Sequence, residues 1–527
     1  MKRSSKAAIL FVATFLAYSP ALFFSDFVYD DVVLLLKNQA AHAVSSWDEL
    51  FHFFIQPTRP LANWILAGVH WWGKGHIVWQ RAVSLSLHAA TVSVAYLYLE
   101  KLFRKTAEGV PTRVAFWSAL FFALHPIVSE VNAVASFRWE ILGTFFLFLS
   151  GLCALEGAYL SLFFTMGLSF LCKENFIVLT PLLVLATLRL LDPQFDRRHI
   201  LRVFKLALPW LVTVLLLTRI PTSFPYREYV GLGIDPSRFD WILSVNALYE
   251  SARQILWGGG LSLLRLTDKP LPIPALPTWA IVVFLATPLI VLLPLAIRKT
   301  ASALCLSVGL VNLYFYLLLP NINIGSARYY YPALPFIAAV ALVWASRFYV
   351  HQKIQWALAA YAIFLGIKTE IRLQEFRSQR SLAEAENSKH PDVEFTWLAL
   401  VHLYERLPTP ERLTEKVSHR LEEAASHFPK NLYLRLQQMR LRYERGDQDG
   451  ARRVVSDLER AGLGPAEENE FRFETLMASV NAGDCEFAQK NFSQLTQRCQ
   501  LRKPPESAPT PRCGLDISAQ MFLDCRG

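Results

Sequence analysis

Apolar residues in this chain come in long blocks, interrupted by short polar stretches, rather than at the two- or three-residue spacing of surface strands and helices. The first block lies in MKRSSKAAILFVATFLAYSPALFF, which has a basic start and then an apolar run long enough to span a bilayer. No small-x-small cleavage site follows, so the segment reads as an uncleaved transmembrane helix. Further runs lie near 77–99, 112–125, 139–155, 158–171, 175–191, 201–219, 278–297, 301–319, 330–350 and 353–369, which predicts about eleven spans. Between 220 and 277, FDWILSVNALYESARQILW repeats its apolar positions at helical spacing, predicting a helix on or near the membrane interface.

After about 372 the pattern turns charged and amphipathic. Two segments there pair a helix, a Gly-Asp turn and a second helix that opens on small residues (RGDQDGAR and AGDCEFAQ). Gly446 and Gly483 lie 37 residues apart, close to the ~34-residue tetratricopeptide period. Two or three such repeats are expected, with a generic helical bundle as the alternative. The predicted architecture is all-α, with a polytopic membrane domain over 1–371, a helical-repeat domain over 372–500 and a cysteine-containing tail over 501–527.

Composition supports this outline. The chain has 527 residues, 53% of them hydrophobic and 13% aromatic, too apolar for an ordinary soluble domain. The net charge of +10 does not require nucleic acid, because the basic residues fall into alternate short loops. Lys101, Arg104, Lys105 and Arg113 share one loop; Arg189, Arg197, Arg198, Arg202 and Lys205 share another; Arg298 with Lys299 and Arg347 with Lys353 continue the series. The positive-inside rule then makes these loops cytoplasmic, with the N-terminus, and an odd span count sends the C-terminus outside. Cys485, Cys499, Cys513 and Cys525 crowd the end of the chain without a CxxC element. They are disulfide candidates in an oxidising compartment, with three pairings open. The expected home is a bacterial inner membrane with a periplasmic C-terminal domain, or the endoplasmic reticulum membrane in a eukaryote.

On this topology the chemically unusual residues gather on the outer side. The first outer loop, 25–76, carries FSDFVYDDVV, with Asp30 and Asp31, and PTRPLANW, with Arg59. The second carries LHPIVSEVNAVASFRWE, with His125, Glu130, Arg138 and Glu140. The turn LCKEN adds Lys173 and Glu174, and NIGSARYYYP adds Arg328 and Tyr330. Singly, each has an ordinary role as a cap, an interfacial anchor or a local ion pair. Together they offer carboxylates able to take a proton from a hydroxyl and cations able to hold a phosphate leaving group. A divalent cation between acidic residues is a further possibility, although no compact ligand motif requires one.

In order and context, FVYDD…KN, RPL, LHP…E…R.E…L, KE and ARYYYP resemble the transmembrane and tetratricopeptide-repeat O-mannosyltransferases and their bacterial relatives, members of the GT-C glycosyltransferases. The resemblance covers nearly the whole chain. It implies an enzyme that takes a sugar from a polyprenyl-phosphate carrier, usually with inversion, and gives it to a protein Ser/Thr or glycan hydroxyl. Asp30 or Asp31 would be the base, and some of Arg59, His125, Arg138, Lys173 and Arg328 would meet the lipid phosphate. Glu130, Glu140, Glu174 and Tyr330 would support them, and the repeats would hold the acceptor. The chain departs from the pattern at Ser84, at Val128 and in its shorter repeat array, which loosens the transfer of mannose and of a particular acceptor. A lipid-pyrophosphate glycan ligase and a non-catalytic membrane scaffold are the alternatives. A transporter would show duplicated halves with charges at mid-membrane, and neither is seen.

Overall fold

The computed structural model describes residues 3–24, 26–36, 38–53, 59–106, 112–192, 194–219, 254–255, 300–317, 327–346, 352–389, 391, 394–405, 414–461 and 465–501. Every regular element among the described residues is a helix. The chain forms two compact units, Met1–Lys389 and His390–Gly527.

Four helical segments of the first unit, Arg3–Phe23, Ile77–Lys105, Ala135–Glu156 and Arg197–Leu217, are long and apolar enough to cross a membrane. Arg113–Leu124, Tyr159–Phe170, Phe176–Leu191, Ala301–Leu313 and Leu334–Ser346 are apolar but shorter. The expected runs that are described therefore fold as helices, but a span needs about twenty predominantly apolar residues at 1.5 Å each. Among the described residues four helical segments are both long and apolar enough; Gln352–Glu375 has 24 residues but is not apolar enough. The run at 278–297 and nearly all of the 220–277 loop lie outside the described residues.

This unit has an apolar core but exposes apolar side chains as well. Arg197–Leu217 leaves Leu201, Phe204, Leu208, Val212, Leu215 and Leu216 exposed, an apolar face of the kind that suits acyl chains better than water. Inside, the helix Ile77–Lys105 buries Gln80, Arg81, Ser84, His88 and Thr91. It packs against the helices Arg138–Glu156, Arg3–Tyr18 and Thr112–Leu124. Gly143 allows the helices Arg138–Glu156 and Phe176–Leu191 to close on each other, because the Phe176 ring occupies the space a Cβ would need. At one end of the bundle Arg3 and Arg104 converge on buried Glu100, at 2.6 and 2.7 Å.

The composition shift at 372 does not coincide with the edge of the unit. The helix Gln352–Glu375 runs through it, and Arg372 is buried and paired with Glu386 (3.2 Å) in the next helix, Gln379–Lys389. Charge pairing ties this polar hairpin to the first unit, whose edge falls at 389/390.

The second unit is built of helix pairs. Leu432–Glu444 packs on Gln448–Ala461, and Pro465–Asn481 on Cys485–Leu501. The expected Gly-Asp turns share one geometry. Gly446 and Gly483 take left-handed φ of 77° and 70°, the conformation that favours glycine after a helix. The Asp447 and Asp484 amides each donate 2.9 Å hydrogen bonds back to the preceding helix, at Arg442 and Ser479. Leu436, Met439, Tyr443, Val455, Leu458 and Phe471 form the core between these pairs. Arg452 links them by donating from Nε to Asp484 Oδ2 at 2.9 Å. The disulfide expectation for Cys485, Cys499, Cys513 and Cys525 rests on side chains outside the described residues.

Candidate functional site

The two adjacent aspartates of the first loop have different fates. Tyr29, just before them, takes φ of 55°, a left-handed conformation that costs a non-glycine residue about 1–2 kcal/mol. The tight turn around it (Asp31 N to Val28 O, 3.3 Å; Val32 N to Tyr29 O, 3.1 Å) separates the two carboxylates. Asp31 is buried and accepts hydrogen bonds from the backbone amides of Ala135 (2.8 Å) and Ser136 (2.7 Å). Burial pushes its carboxyl up and those amides pull it back. Asp31 thus pins the first loop to the second. Asp30 is half-buried, and among the described residues its carboxylate accepts no hydrogen bond. Burial raises its pKa to about 6, opposed by the charges of Arg328 and Arg59 and assisted by Asp31.

Asp31→Asn is expected to keep one acceptor oxygen but turn an amide group toward an N–H donor. Leaving one buried amide unsatisfied costs about 1–3 kcal/mol, measurable as a lowered thermal midpoint of the purified protein.

The five candidate cations fall into two groups. Arg59, Lys173 and Arg328 share an aromatic rim. Arg59 Cζ lies 4.5 Å from the Trp139 ring centroid and Lys173 Nζ lies 4.8 Å from that of Tyr329. Arg328 Cζ lies 4.2 Å from Phe137, 4.9 Å from Tyr329 and 5.8 Å from Tyr29. Each cation also has its own carboxylate. Arg59 grips Glu174 with both arms of its fork, Nε to Oε2 at 2.9 Å. Lys173 bonds buried Glu140, and Arg328 donates to buried Glu130 Oε1 at 2.9 Å. The local fold explains the first pair. Pro60 opens the helix after Arg59, and the Leu61 amide donates to Leu171 O at 3.1 Å, which brings the 59–61 corner to the Lys173-Glu174 turn.

Arg138 and His125 sit behind this rim. Arg138 is buried and donates to Ser84 Oγ (3.1 Å), Gln80 O (2.7 Å) and Gln80 Oε1 (2.8 Å). His125 uses both ring nitrogens on the main chain, accepting at Nδ1 from the Ile127 amide (3.2 Å) and meeting Ile255 O from Nε2 at 2.9 Å. Tyr330 is buried with Ile127, Leu313 and Ala333. Tyr331 reaches back to His88 Nδ1 at 2.8 Å, whereas Tyr329 faces Lys173 and Arg328.

Burial pushes Glu174 up, but the charge and hydrogen bonds of Arg59 more than offset it and hold the carboxyl at about 2. Because this lies below its ordinary 4.5, the pair contributes stability above pH 4.5 that is lost as pH falls toward 2. Glu174→Gln is expected to flatten the stability–pH curve within that window, which acid titration of unfolding would measure.

Two contributors were not singled out in the sequence. Arg81 donates to the carbonyls of Phe24 and Asp26 (2.5 Å to the latter) and fastens the stretch before Asp30 to the helix Ile77–Lys105. A charge inside an apolar run was the available signal. Asn312 donates to Tyr329 O at 2.9 Å and meets Asn175 at 3.5 Å, joining the turn after Lys173-Glu174 to the Arg328 turn. Among the described residues, no three His, Cys, Asp or Glu side chains converge as a metal site. Comparison with known protein families, characterised proteins and solved structures finds no match.

Proposed function

We propose that this chain is a GT-C-like membrane glycosyltransferase, similar to the transmembrane and tetratricopeptide-repeat O-mannosyltransferases. It transfers a sugar, mannose by that resemblance, from a polyprenyl-phosphate carrier to a protein or glycan hydroxyl on the extracytoplasmic face. The observation that carries this reading is Asp30: half-buried, raised to about 6, and within the fields of Arg328 and Arg59. A carboxylate with a pKa near working pH suits a general base.

The step follows from these groups. Asp30 takes the proton of the acceptor hydroxyl as its oxygen bonds to the anomeric carbon. The bond from that carbon to the phosphate oxygen breaks, and polyprenyl phosphate leaves with the electron pair. Asp30, Asp31, Glu130, Glu140 and Glu174 balance Arg59, Arg81, Arg138, Lys173 and Arg328. Protonating Asp30 therefore leaves the cluster one charge positive as the phosphate gains its negative charge. Of the cations, Arg59 and Arg328 act on both Asp30 and the rim, and are our candidates for the phosphate. Lys173 and Arg138 are structural, and His125 orders the main chain.

The test is direct. The full chain in liposomes is supplied with radiolabelled polyprenyl-phosphate mannose, and with glucose and galactose analogues, together with a cell-envelope acceptor fraction. Label should pass to the acceptor with release of polyprenyl phosphate. If none of these donors is consumed, the reading fails. The scaffold reading has one observation in its favour, a cleft of about 530 Å³ in the second unit lined by Gln437, Arg440, Tyr443, Phe473, Glu474 and Asn481. Partner capture by residues 390–527 with no donor use would favour it.

A further inference from the structure

The helix Arg197–Leu217 has two faces of different character. One packs into the first unit, with Val203 against Leu162, and Ala207 and Val214 against Met166 and Phe170. Approach there is close: the Trp210 ring fills the space a Cβ on Gly167 would need, and Trp210 Nε1 donates to Phe163 O at 3.0 Å. The other face is an exposed stripe. Arg198, Arg202 and Lys205 recur on it at helical spacing, and Leu208, Val212 and Leu216 carry the same stripe along the helix. The rise from Lys205 to Leu216 is about 16 Å, close to one leaflet of a ~30 Å hydrocarbon core.

The basic head of this stripe is short of carboxylates. Asp196 caps the helix, accepting from the Arg198 amide at 2.9 Å, and shares His199 with Asp192, at 3.1 and 3.0 Å. Its contact with the Arg198 side chain is 3.9 Å between exposed groups, which is worth little. Among the described residues, neither Arg202 nor Lys205 meets a carboxylate. Arg202 Nη1 donates instead to Tyr159 Oη at 2.8 Å, with its Cζ 4.8 Å from the ring centroid. Arg198 and Arg202 also repel each other at i, i+4, and Arg197 and Arg198 stand in the first turn, where the helix dipole disfavours cations. An anion held at this end of the stripe relieves both costs.

The composition of the stripe selects its occupant. Leu201, Leu208, Val212 and Leu216 are not the small residues that let a second helix approach; Ala207 and Gly167 lie on the inner contact. A second copy meeting the same stripe would set Arg198, Arg202 and Lys205 against their own counterparts. An acyl chain suits branched apolar side chains, and the phosphate of the same molecule suits the cations at their end. A zwitterionic lipid brings its own cation and gains less. We propose that Arg197–Leu217 and Tyr159 form a binding site for an anionic phospholipid. Arg202 and Lys205 hold its phosphate, Tyr159 sets the Arg202 guanidinium, and one acyl chain lies along Leu208, Val212 and Leu216.

The probes are dioleoylphosphatidylglycerol and dioleoylphosphatidylcholine, titrated separately onto the full chain in detergent and counted as bound adducts by native mass spectrometry. Phosphatidylglycerol is expected to form an adduct at a concentration about tenfold below the first phosphatidylcholine adduct. Arg202→Gln/Lys205→Gln should remove one such adduct, and Arg202→Lys/Lys205→Arg should retain it. Glycerophosphoglycerol, the headgroup without its chains, should leave that adduct in place at equal concentration. Tyr159→Leu keeps both cations but frees Arg202, and should weaken the same adduct about threefold without changing phosphatidylcholine; it provides the answer if Arg202→Gln/Lys205→Gln does not fold. A parent with no preference for phosphatidylglycerol would overturn the proposal. So would an unchanged adduct count in Arg202→Gln/Lys205→Gln, or parental affinity in Tyr159→Leu. Displacement of the lipid by the free headgroup would also overturn it, by showing an anion patch to which the apolar stripe contributes nothing.

Discussion

Asp30→Asn is expected to abolish sugar transfer, with a rate loss of about 10²–10⁴-fold or more, while the protein still inserts and folds. Asn keeps the shape of the side chain but cannot take the acceptor proton. In the parent, kcat/KM for the donor should fall about tenfold per pH unit below about 6, where Asp30 takes up its proton; any residual activity of the variant should lack that limb. The same substitution is expected to stabilise the fold. The native pKa of about 6 exceeds the ordinary 3.8, so the folded state binds the proton more tightly and the ionised carboxylate opposes folding at pH 7. Removing the charge should raise stability there by on the order of 1–3 kcal/mol. The gap should close as pH falls from 6 toward 3.8, since the parent then gains the same neutral form. A gain in stability with a loss of turnover marks a residue kept for chemistry. Asp31→Asn should lose stability instead. If both substitutions left product formation unchanged, the catalytic assignment of this pair would be wrong.

The contrast between the neighbours shows how far the sequence could be read. Helix positions were legible because apolar blocks and turn residues act locally, and the Gly446 and Gly483 turns are where their Gly-Asp pairs predicted. The span count was not, since a run such as 159–170 is apolar throughout yet too short to cross alone. The candidate site was legible as a list of polar residues at the edges of apolar runs. Its internal pairing was not. Asp31 is defined by two backbone amides more than a hundred residues away, and no side-chain pattern announces a backbone donor. Arg59, Lys173 and Arg328 look alike in sequence, but tertiary contacts give each a different carboxylate and different rings. Arg372 lies outside every motif, and its partners Glu375 and Glu386 come from its own helix and the next one.

Lys173→Met is the other substitution expected to have a large effect, this time on stability. Lys173 and Glu140 are 3% and 0% exposed, so removing the lysine strands a carboxylate with no water to solvate it. Breaking such a buried pair from one side costs about 3–5 kcal/mol. The charges of Arg59 and Arg328 also reach Glu140, but each already holds its own carboxylate, Glu174 and Glu130, and can answer Glu140 only by loosening that pair. Lys173→Met should therefore lower the thermal midpoint and reduce recovery from membranes, and it should also weaken donor use indirectly by drawing Arg59 and Arg328 off the rim. Lys173→Met/Glu140→Gln separates these effects. With both charges gone and the volumes nearly kept, most of the stability should return, and the donor KM should come back to within about threefold of the parent. A double variant that folds well but keeps a donor KM more than about tenfold raised would instead make Lys173 a phosphate contact, with Glu140 covering it until the lipid arrives.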